Sequence, residues 1–242
     1  MKFIIFSDVH SNLEALQSFC RATESVLHDK KVCLGDIVGY NADPNPVVEW
    51  VREETDFALA GNHDYCVLNQ TDASYLNPAA YQACAWTRRN LTQSNKNFLD
   101  TLPIEKEEDG IYWVHSSPFE PKKWHYVSTI KSAEKNFDYF KQAICFIGHS
   151  HLPGIFEKNK NNKMYSHDTS KLELDPDSRY IINVGSLGQP RDGNPDPVFV
   201  FYDSVSHIVE FCRFSYDLLS TQQKIMACGL PSSLADRLRN GV

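Results

Sequence analysis

Short groups of polar side chains that can bind metal ions follow several apolar segments of the chain. Four segments run into Asp8-Val9-His10, Gly35-Asp36, Gly61-Asn62-His63-Asp64 and Gly148-His149-Ser150-His151, and a fifth ends on His115. Each group alone is a common chance occurrence, and Asp36 by itself is compatible with a helix cap. Five such groups, each at the end of an apolar run, favour one shared site over five unrelated coincidences.

The types of side chain in these groups indicate a pair of transition-metal ions. Mixed imidazole and carboxylate ligands suit Mn, Fe, Zn or Co better than Mg or Ca, which favour all-oxygen shells. Two such ions roughly 3.5–4 Å apart can share a hydroxide and clamp the oxygens of a phosphoryl group. A bridging carboxylate offsets the repulsion between the cations, and Asp36 is the natural bridge. Asn62 supplies a neutral ligand, so the centre stays positive. The pattern therefore predicts hydrolysis of a phosphate ester.

His63 is predicted to have a different role from the metal ligands. It follows Asn62 directly, and on an extended segment the two side chains cannot point at the same metal. We therefore expect His63 to face the substrate, where it protonates the leaving-group oxygen or stabilises its charge. Asp64 is expected to orient the His63 ring and to favour its imidazolium form.

The elements that position these residues begin with a β-α-β-α-β pattern. Apolar segments at 3–6, 31–34 and 57–60 read as strands, and two helical segments connect them, the first with Asn12 as its N-cap. This order is typical of a parallel sheet with right-handed crossovers. Ligands bind beyond the carboxyl ends of strands in such sheets. We therefore expect the polar groups to lie along one edge of one sheet.

The rest of the chain predicts a helical insertion, a second sheet and a helical tail. Residues 73–102 read as a helical insertion or cap, and Asp109-Gly110 marks a hairpin. From residue 154 onward, short strands with polar turns suggest a largely antiparallel second sheet. A helical tail covers about 215–240. Without a repeat or a long linker, residues 1–242 are predicted to form a single domain.

Composition excludes several classes of function. The 242 residues carry a formal charge of −7, so the chain lacks the basic field of a sequence-independent nucleic-acid binder. No run approaches the ~18 consecutive apolar residues of a membrane helix. The seven cysteines form no CxxC pair, which disfavours a disulfide framework. Because no export signal is evident, the cytoplasm is the expected compartment.

The motifs, in order and with none missing, resemble those of the calcineurin-like metallophosphoesterases. Their spacing is similar to the small prokaryotic branch related to diadenosine tetraphosphatases and compact phosphodiesterases. Further similarity lies in Gly35–Tyr40, in Asn183–Asp192 and in the tail from Gly229 to Leu238. Val184 departs from the family, in which a proline is common at this position. The resemblance covers nearly the whole chain.

This resemblance implies an α/β fold and a set of ligands. The fold would be a four-layer α-β-β-α sandwich of two mixed sheets. One metal would be held by Asp8, His10, Asp36 and His151, and the other by Asp36, Asn62, His115 and His149, with manganese the most common activating ion. His63 would act as acid or electrostatic stabiliser, together with Asp64.

The substrate and its binding residues are less closely specified. Tyr40 and Asn41 are expected at the mouth of the site, with a purely structural turn as the alternative. Arg191 is expected to grip a phosphate, with a surface ion pair as the alternative. The leading substrate is a small phosphorylated molecule, a nucleotide such as a dinucleoside polyphosphate, or a phosphodiester. A protein phosphatase and a non-catalytic interaction scaffold on the same fold are the competing hypotheses, and no oligomeric state is predicted.

Overall fold

Two six-stranded mixed sheets form the centre of the molecule. The structure is a computed structural model that describes residues 1–71 and 76–242. The strands are β1 (Lys2–Phe6), β2 (Lys30–Cys33), β3 (Phe57–Ala58), β4 (Glu105–Glu108), β5 (Ile111–Val114), β6 (Ile144–Ile147), β7 (Gly154–Lys158), β8 (Met164–His167), β9 (Lys171–Glu173), β10 (Arg179–Asn183), β11 (Val198–Asp203) and β12 (Ile208–Arg213). The first sheet has the order β3-β2-β1-β11-β12-β9, and the second has the order β4-β5-β6-β10-β7-β8.

Helices cover the outer faces of both sheets. They are α1 (Leu13–Thr23), α2 (Pro44–Glu54), α3 (Asn62–Val67), α4 (Pro78–Asn90), α5 (Gln93–Asp100), α6 (Ile130–Asn136), α7 (Leu218–Ala227) and α8 (Ser232–Asn240), with a 3-10 turn at Pro121–Lys123. Asn12 caps α1 by accepting a hydrogen bond from the backbone N–H of Ala15. In the described part of the chain, no helix has the length and apolar character needed to cross a membrane.

Alternating side chains in the strands build the layers. In β1, Phe3 and Ile5 pack between the two sheets, whereas Ile4 and Phe6 pack against α1 and α2 on the outer face. In β6, Ile144 and Phe146 face the other sheet and Cys145 and Ile147 face α6. The predicted four-layer α-β-β-α sandwich is therefore confirmed.

Strand direction explains how both sheets contribute to one site. In the first sheet, β1 pairs with β2 and β2 with β3, all parallel, as the β-α-β-α-β pattern predicted. In the second sheet, β5, β6 and β10 are parallel.

The expectation that the strands after residue 154 form a sheet of their own is wrong. Three of them, β9, β11 and β12, extend the first sheet with antiparallel pairings.

The predicted insertion and tail pack against each other. The insertion was predicted from residue 73, and its first residues lie outside the described part of the chain. Its helices α4 and α5 lie on the side of the first sheet, where α5 packs against α2. Ala80 and Ala83 of α4 contact the apolar faces of α7 and α8, which form the predicted tail. The prediction of a single domain stays a prediction.

Candidate metal centre and substrate cavity

The predicted metal-binding residues lie at the carboxyl ends of parallel strands from both sheets. Asp8, Asp36 and Asn62 follow strands of the first sheet, whereas His115 and the pair His149 and His151 follow strands of the second sheet. The expectation of one edge of a single sheet is therefore corrected. Two facing sheet edges meet at this point, and each supplies part of the cluster.

Several of these residues have left-handed backbone, which is uncommon outside glycine. Positive φ angles occur at Asp8 (55°), His10 (49°), Asp36 (49°), His149 (65°) and His151 (60°). Each such conformation costs on the order of 1–3 kcal/mol and persists only where the surrounding structure enforces it. The backbone at the strand ends is thus bent away from regular geometry so that the side chains converge.

The buried side chains form two groups that share Asp36. The first group is Asp8, His10, Asp36 and His151, and the second is Asp36, His115 and His149. Ligand atoms within each group lie within 4.8 Å of one another. The Oδ2 atom of Asp36 is 3.6 Å from Nε2 of His10 and 3.4 Å from Nε2 of His115. A single carboxylate oxygen therefore faces both groups.

Backbone contacts fix which ring nitrogens face the centre. The Nδ1 atoms of three histidines donate to backbone carbonyl oxygens: His10 to Val38 (3.0 Å), His115 to Leu34 (2.9 Å) and His151 to Gln189 (2.5 Å). In the neutral rings, Nε2 then carries a lone pair. The Nε2 atoms of His10 and His151 are only 3.2 Å apart. Two facing lone pairs repel each other, and a cation between them removes that conflict.

Unpartnered buried atoms show that the donor set fits metal ions. In the described part of the chain, Asp8 Oδ1, Asn62 Oδ1 and His115 Nε2 are buried without a hydrogen-bond partner. Buried polar atoms are rarely left unpaired, since each costs about 1–3 kcal/mol. His149 donates through Nε2 to the carbonyl oxygen of Trp124 at 2.9 Å, so its Nδ1 is free to act as a ligand. These oxygens and imidazole nitrogens are donors that transition metals accept.

The charges of the cluster are strongly perturbed without a cation. Burial raises the pKa of Asp8, but the surrounding histidines, first His151, outweigh it and hold that pKa well below its usual value. Burial lowers the pKa of His149 to about 3 and that of His151 to about 4. Burial also acts to lower the pKa of His115, yet the Asp36 carboxylate raises it to about 9. The Asp8 carboxylate is therefore ionised, and the His115 ring is protonated at neutral pH in the absence of metal.

Asp64 does not have the predicted contact with His63. Its carboxylate accepts hydrogen bonds from the backbone N–H groups of Gly61 (2.9 Å), Ile37 (3.1 Å) and Val38 (3.2 Å). Residues from Asn62 onward are helical rather than extended, and Asp64 is the third residue of that helix, where an acidic side chain caps the helix start. Asp64 therefore holds two loops together instead of orienting the ring.

His63 is buried beside the candidate metal ligands, and its ring is neutral. Burial lowers its pKa well below the usual value, which corrects the expected imidazolium form. Its ring lies 4.4 Å from the ring of Tyr40 and 4.8 Å from that of His10. Its Nδ1 is 3.3 Å from the thiol of Cys84 on α4. The contact with Cys84 was not predicted, because no local pattern links residues 21 positions apart.

The end of β10 and the segment after it form hydrogen bonds with the loops that carry the ligands. Ser186 donates from its hydroxyl to the backbone oxygen of Asp8 at 2.9 Å, and the N–H of Gly188 donates to the same oxygen at 2.8 Å. A side chain at Gly188 would collide with the backbone oxygen of Val9. The side-chain amide of Asn183 donates to the backbone oxygen of Gly148 at 2.7 Å. The two bonds to Asp8 join the two sheet edges that carry the ligands, and the bond to Gly148 holds the loop after β6.

A cavity of about 540 Å³ opens onto the centre. Its lining includes His63, Tyr40 and Arg191, as predicted for the last two. It also includes Tyr126, and three residues that were not predicted from the sequence: Lys122, Lys123 and Arg237. Asn41 does not reach the mouth of this cavity. It is buried, and its side-chain amide donates to the backbone oxygen of His10 at 2.8 Å, so it supports a ligand instead.

Known proteins resemble this chain over its whole length. The family model of the calcineurin-like phosphoesterase superfamily domain matches residues 1–206. An uncharacterised protein of Methanocaldococcus jannaschii is 36% identical over 238 residues, which cover 97% of this chain and 96% of that protein. A metallophosphoesterase from Sphaerobacter thermophilus is 34% identical, with a TM-score of 0.88 and coverage of 100% and 99%. A hypothetical protein from Pyrococcus horikoshii OT3 shares the fold, with a TM-score of 0.82. It is 17% identical, and the match covers 100% of this chain and 98% of that protein.

Proposed function

The chain belongs to the calcineurin-like phosphoesterase superfamily, and from this premise we propose that it hydrolyses a small nucleotide-like phosphate ester or anhydride with two metal ions. The observation that carries the proposal is the position of Asp36, whose Oδ2 atom faces both ligand groups. A shared carboxylate is the arrangement that two adjacent cations require. As a metallophosphoesterase, the chain has the fold and the His/Asp cluster for this reaction.

The ligands divide into two sets in this proposal. Asp8, His10, Asp36 and His151 hold one ion, and Asp36, Asn62, His115 and His149 hold the other. Manganese is the leading candidate, and iron, zinc and cobalt also suit these donors. When bound, the two cations supply a nucleophile from water at neutral pH and offset the negative charge of the phosphoryl oxygens.

His63 acts on the leaving group. Its Nδ1 faces Cys84, so Nε2 is the nitrogen available to the cavity. As the bond between phosphorus and the leaving-group oxygen breaks, His63 donates a proton or a hydrogen bond to that oxygen. Because burial lowers the pKa of His63, its ring is neutral at pH 7, and its Nε2–H stabilises the charge that develops on the oxygen as a hydrogen-bond donor.

Cavity residues position the phosphorylated molecule. Arg191 donates from Nη2 to the Tyr40 hydroxyl at 3.2 Å, which holds the guanidinium at the cavity wall. The exposed ring of Tyr126 lies parallel to that of His149, with 4.3 Å between centroids. A nucleobase can stack on such a ring, and this supports a nucleotide over other small phosphorylated molecules.

Seven free cysteines agree with the cytoplasmic location that we predicted.

A substrate panel tests the proposal. The purified protein with Mn²⁺ should release nitrophenol from p-nitrophenyl phosphate or bis-p-nitrophenyl phosphate, and should turn over at least one of diadenosine tetraphosphate, cyclic dinucleotides or other nucleotides. Turnover of phosphopeptides alone would favour a protein phosphatase. Absence of turnover on every ester with every divalent metal would overturn the proposal.

Replacing His63 separates an enzyme from a scaffold. His63→Ala should lower kcat by roughly 10²–10⁴-fold, the usual contribution of a general acid. His28→Ala is the matched control, because His28 is exposed and remote from the cavity lining. Equal rates for both variants would contradict the role of His63.

A further inference from the structure

Two arginines in the cavity lack acidic side-chain partners. Arg191 and Arg237 both line the cavity, and each guanidinium carbon lies over the Tyr40 ring, at 5.7 Å and 5.8 Å from its centroid. In the described part of the chain, the arginines that pair with carboxylates are Arg52 and Arg213. The protein therefore places two neighbouring positive charges at one wall of the cavity, and neither is paired with a side-chain carboxylate of the described residues.

This arrangement favours the binding of an anion. Burial lowers the pKa of Arg237, and the charge of Arg191 lowers it further. Arg191 also has a buried Nε that lacks a hydrogen-bond partner among the described residues. Arg237 uses its Nε to donate to a main-chain oxygen of Val242 at 2.5 Å, which anchors the guanidinium. Guanidinium groups with free N–H pairs bind phosphate oxygens bidentately.

The arginine pair lies close to the reaction centre but apart from it. Tyr40 separates the two, because its ring contacts the rings of His63 and His10, at 4.4 Å and 4.6 Å, as well as both guanidinium groups. A molecule with one phosphoryl group at the metal centre can therefore extend along Tyr40 and place a second anionic group against the arginines. Lys122 and Lys123 add positive charge at the rim. The whole chain is acidic, so this positive cavity is a local feature.

We propose that Arg191 and Arg237 form a second phosphoryl subsite, so that the substrate carries at least two phosphoryl groups in series. This inference rests on the proposed function, since it assumes that a first phosphoryl group binds at the metal centre. It narrows the substrate class to molecules with a polyphosphate chain, such as nucleoside polyphosphates. Simple phosphomonoesters and single phosphodiesters would leave the arginine pair unused.

Competitive inhibition tests the subsite. Inorganic phosphate and tripolyphosphate are compared as inhibitors of p-nitrophenyl phosphate turnover, with MnCl₂ in excess of the inhibitor. For the wild type, tripolyphosphate should bind much more tightly than phosphate. In Arg237→Gln, the inhibition constant of tripolyphosphate should rise at least roughly tenfold more than that of phosphate, the effect of one lost charge-assisted interaction. Arg237→Lys should raise the inhibition constant of tripolyphosphate by an intermediate factor, because lysine keeps the positive charge but lacks the paired N–H donors of the guanidinium group.

The test includes a matched control variant and a measurement of whether each variant is folded. Arg239→Gln removes the same charge from an exposed position on the same helix and should leave both inhibition constants unchanged. Thermal unfolding shows whether each variant is folded. The subsite is overturned if Arg237→Gln leaves the ratio of the two constants at its wild-type value, or if Arg239→Gln changes that ratio equally.

Calorimetry separates this inference from the proposed function. If the wild type turns over no ester, the proposed function fails, and the same comparison is made by titrating the Mn-loaded protein with tripolyphosphate and with phosphate. A preference for tripolyphosphate that depends on Arg237 supports the subsite even then. Equal affinity of wild type and Arg237→Gln for tripolyphosphate overturns it.

Discussion

The thiol of Cys84 lies 3.3 Å from Nδ1 of His63, and both groups are buried. A hydrogen bond with Cys66, followed by burial, raises the pKa of Cys84 well above its usual value, so the thiol stays protonated at neutral pH. When the thiol turns its single S–H towards Nδ1, the ring proton lies on Nε2, which is the tautomer that the leaving group requires.

Substitution of Cys84 should therefore change the rate more than substrate binding. Cys84→Ala is expected to lower kcat by roughly tenfold with little change in KM, because the His63 tautomer is no longer fixed. Cys84→Ser, which retains a donor, should recover most of the rate and the wild-type pH profile. Cys228→Ala is the control at an exposed cysteine. Equal losses for the alanine and serine variants would indicate a packing effect and contradict this role.

Metal binding should release a proton from His115. Without metal, the Asp36 carboxylate overcomes burial and raises the pKa of His115 to about 9, above its usual value of 6.5. The ring is thus protonated at pH 7.5, and Mn²⁺ must displace that proton. Affinity for Mn²⁺ should rise as the pH increases towards 9. Titration calorimetry in two buffers of different ionisation enthalpy measures the released proton, and identical enthalpies in both buffers would contradict it.

Asp36 should control both metal ions, whereas other ligands control one. Asp36→Asn weakens the bridge, so bound Mn²⁺ should fall below one ion per chain. His151→Ala removes a ligand of the first group only and should leave the second ion bound. Metal content after dialysis gives the stoichiometry. Similar metal content in the two variants would argue against a bridging carboxylate.

Gly39 should be required for the position of His63. Its φ is +98°, and a Cβ at this position would lie 2.5 Å from Nδ1 of His63. Gly39→Ala should cost about 1–3 kcal/mol of unfolding free energy from backbone strain and steric conflict, and most of the activity. Gly110→Ala is the matched control, because its φ is +76° but nothing lies within 4 Å. Gly110→Ala should lose some stability and retain activity, measured by urea unfolding and initial rates.

The sequence predicts the fold and the ligand cluster well because both depend on local patterns. Apolar runs that stop at Asp8, Asp36 and His149 identify strand ends, and parallel strands bring their carboxyl ends together. Sheet membership was less predictable. An antiparallel strand such as β11 carries no local signal for its partner, so its pairing with β1 rather than with the second sheet required the structure.

The contacts of the residues around the cluster were also not predictable from the sequence. Asp64 was expected beside His63 because the residues are adjacent, but helical geometry turns its carboxylate towards the backbone of Ile37. Cys84 and Arg237 reach the cavity through tertiary packing of α4 and α8, which no spacing encodes. Side chains that reach a site through the packing of helices are therefore not predictable from sequence motifs.

The pairing of β1 with β11 has a consequence for biosynthesis. Ile5 lies opposite Val200, so the strand that leads to Asp8 meets its neighbour only when the ribosome has made most of the chain. At ~5–20 residues per second, that delay is roughly ten to forty seconds. During this time, one edge of β1 lacks its partner strand, and His149 and His151 are not yet made for most of the interval. Metal loading is therefore expected late in translation or after release, when cellular metal availability decides which ion is acquired.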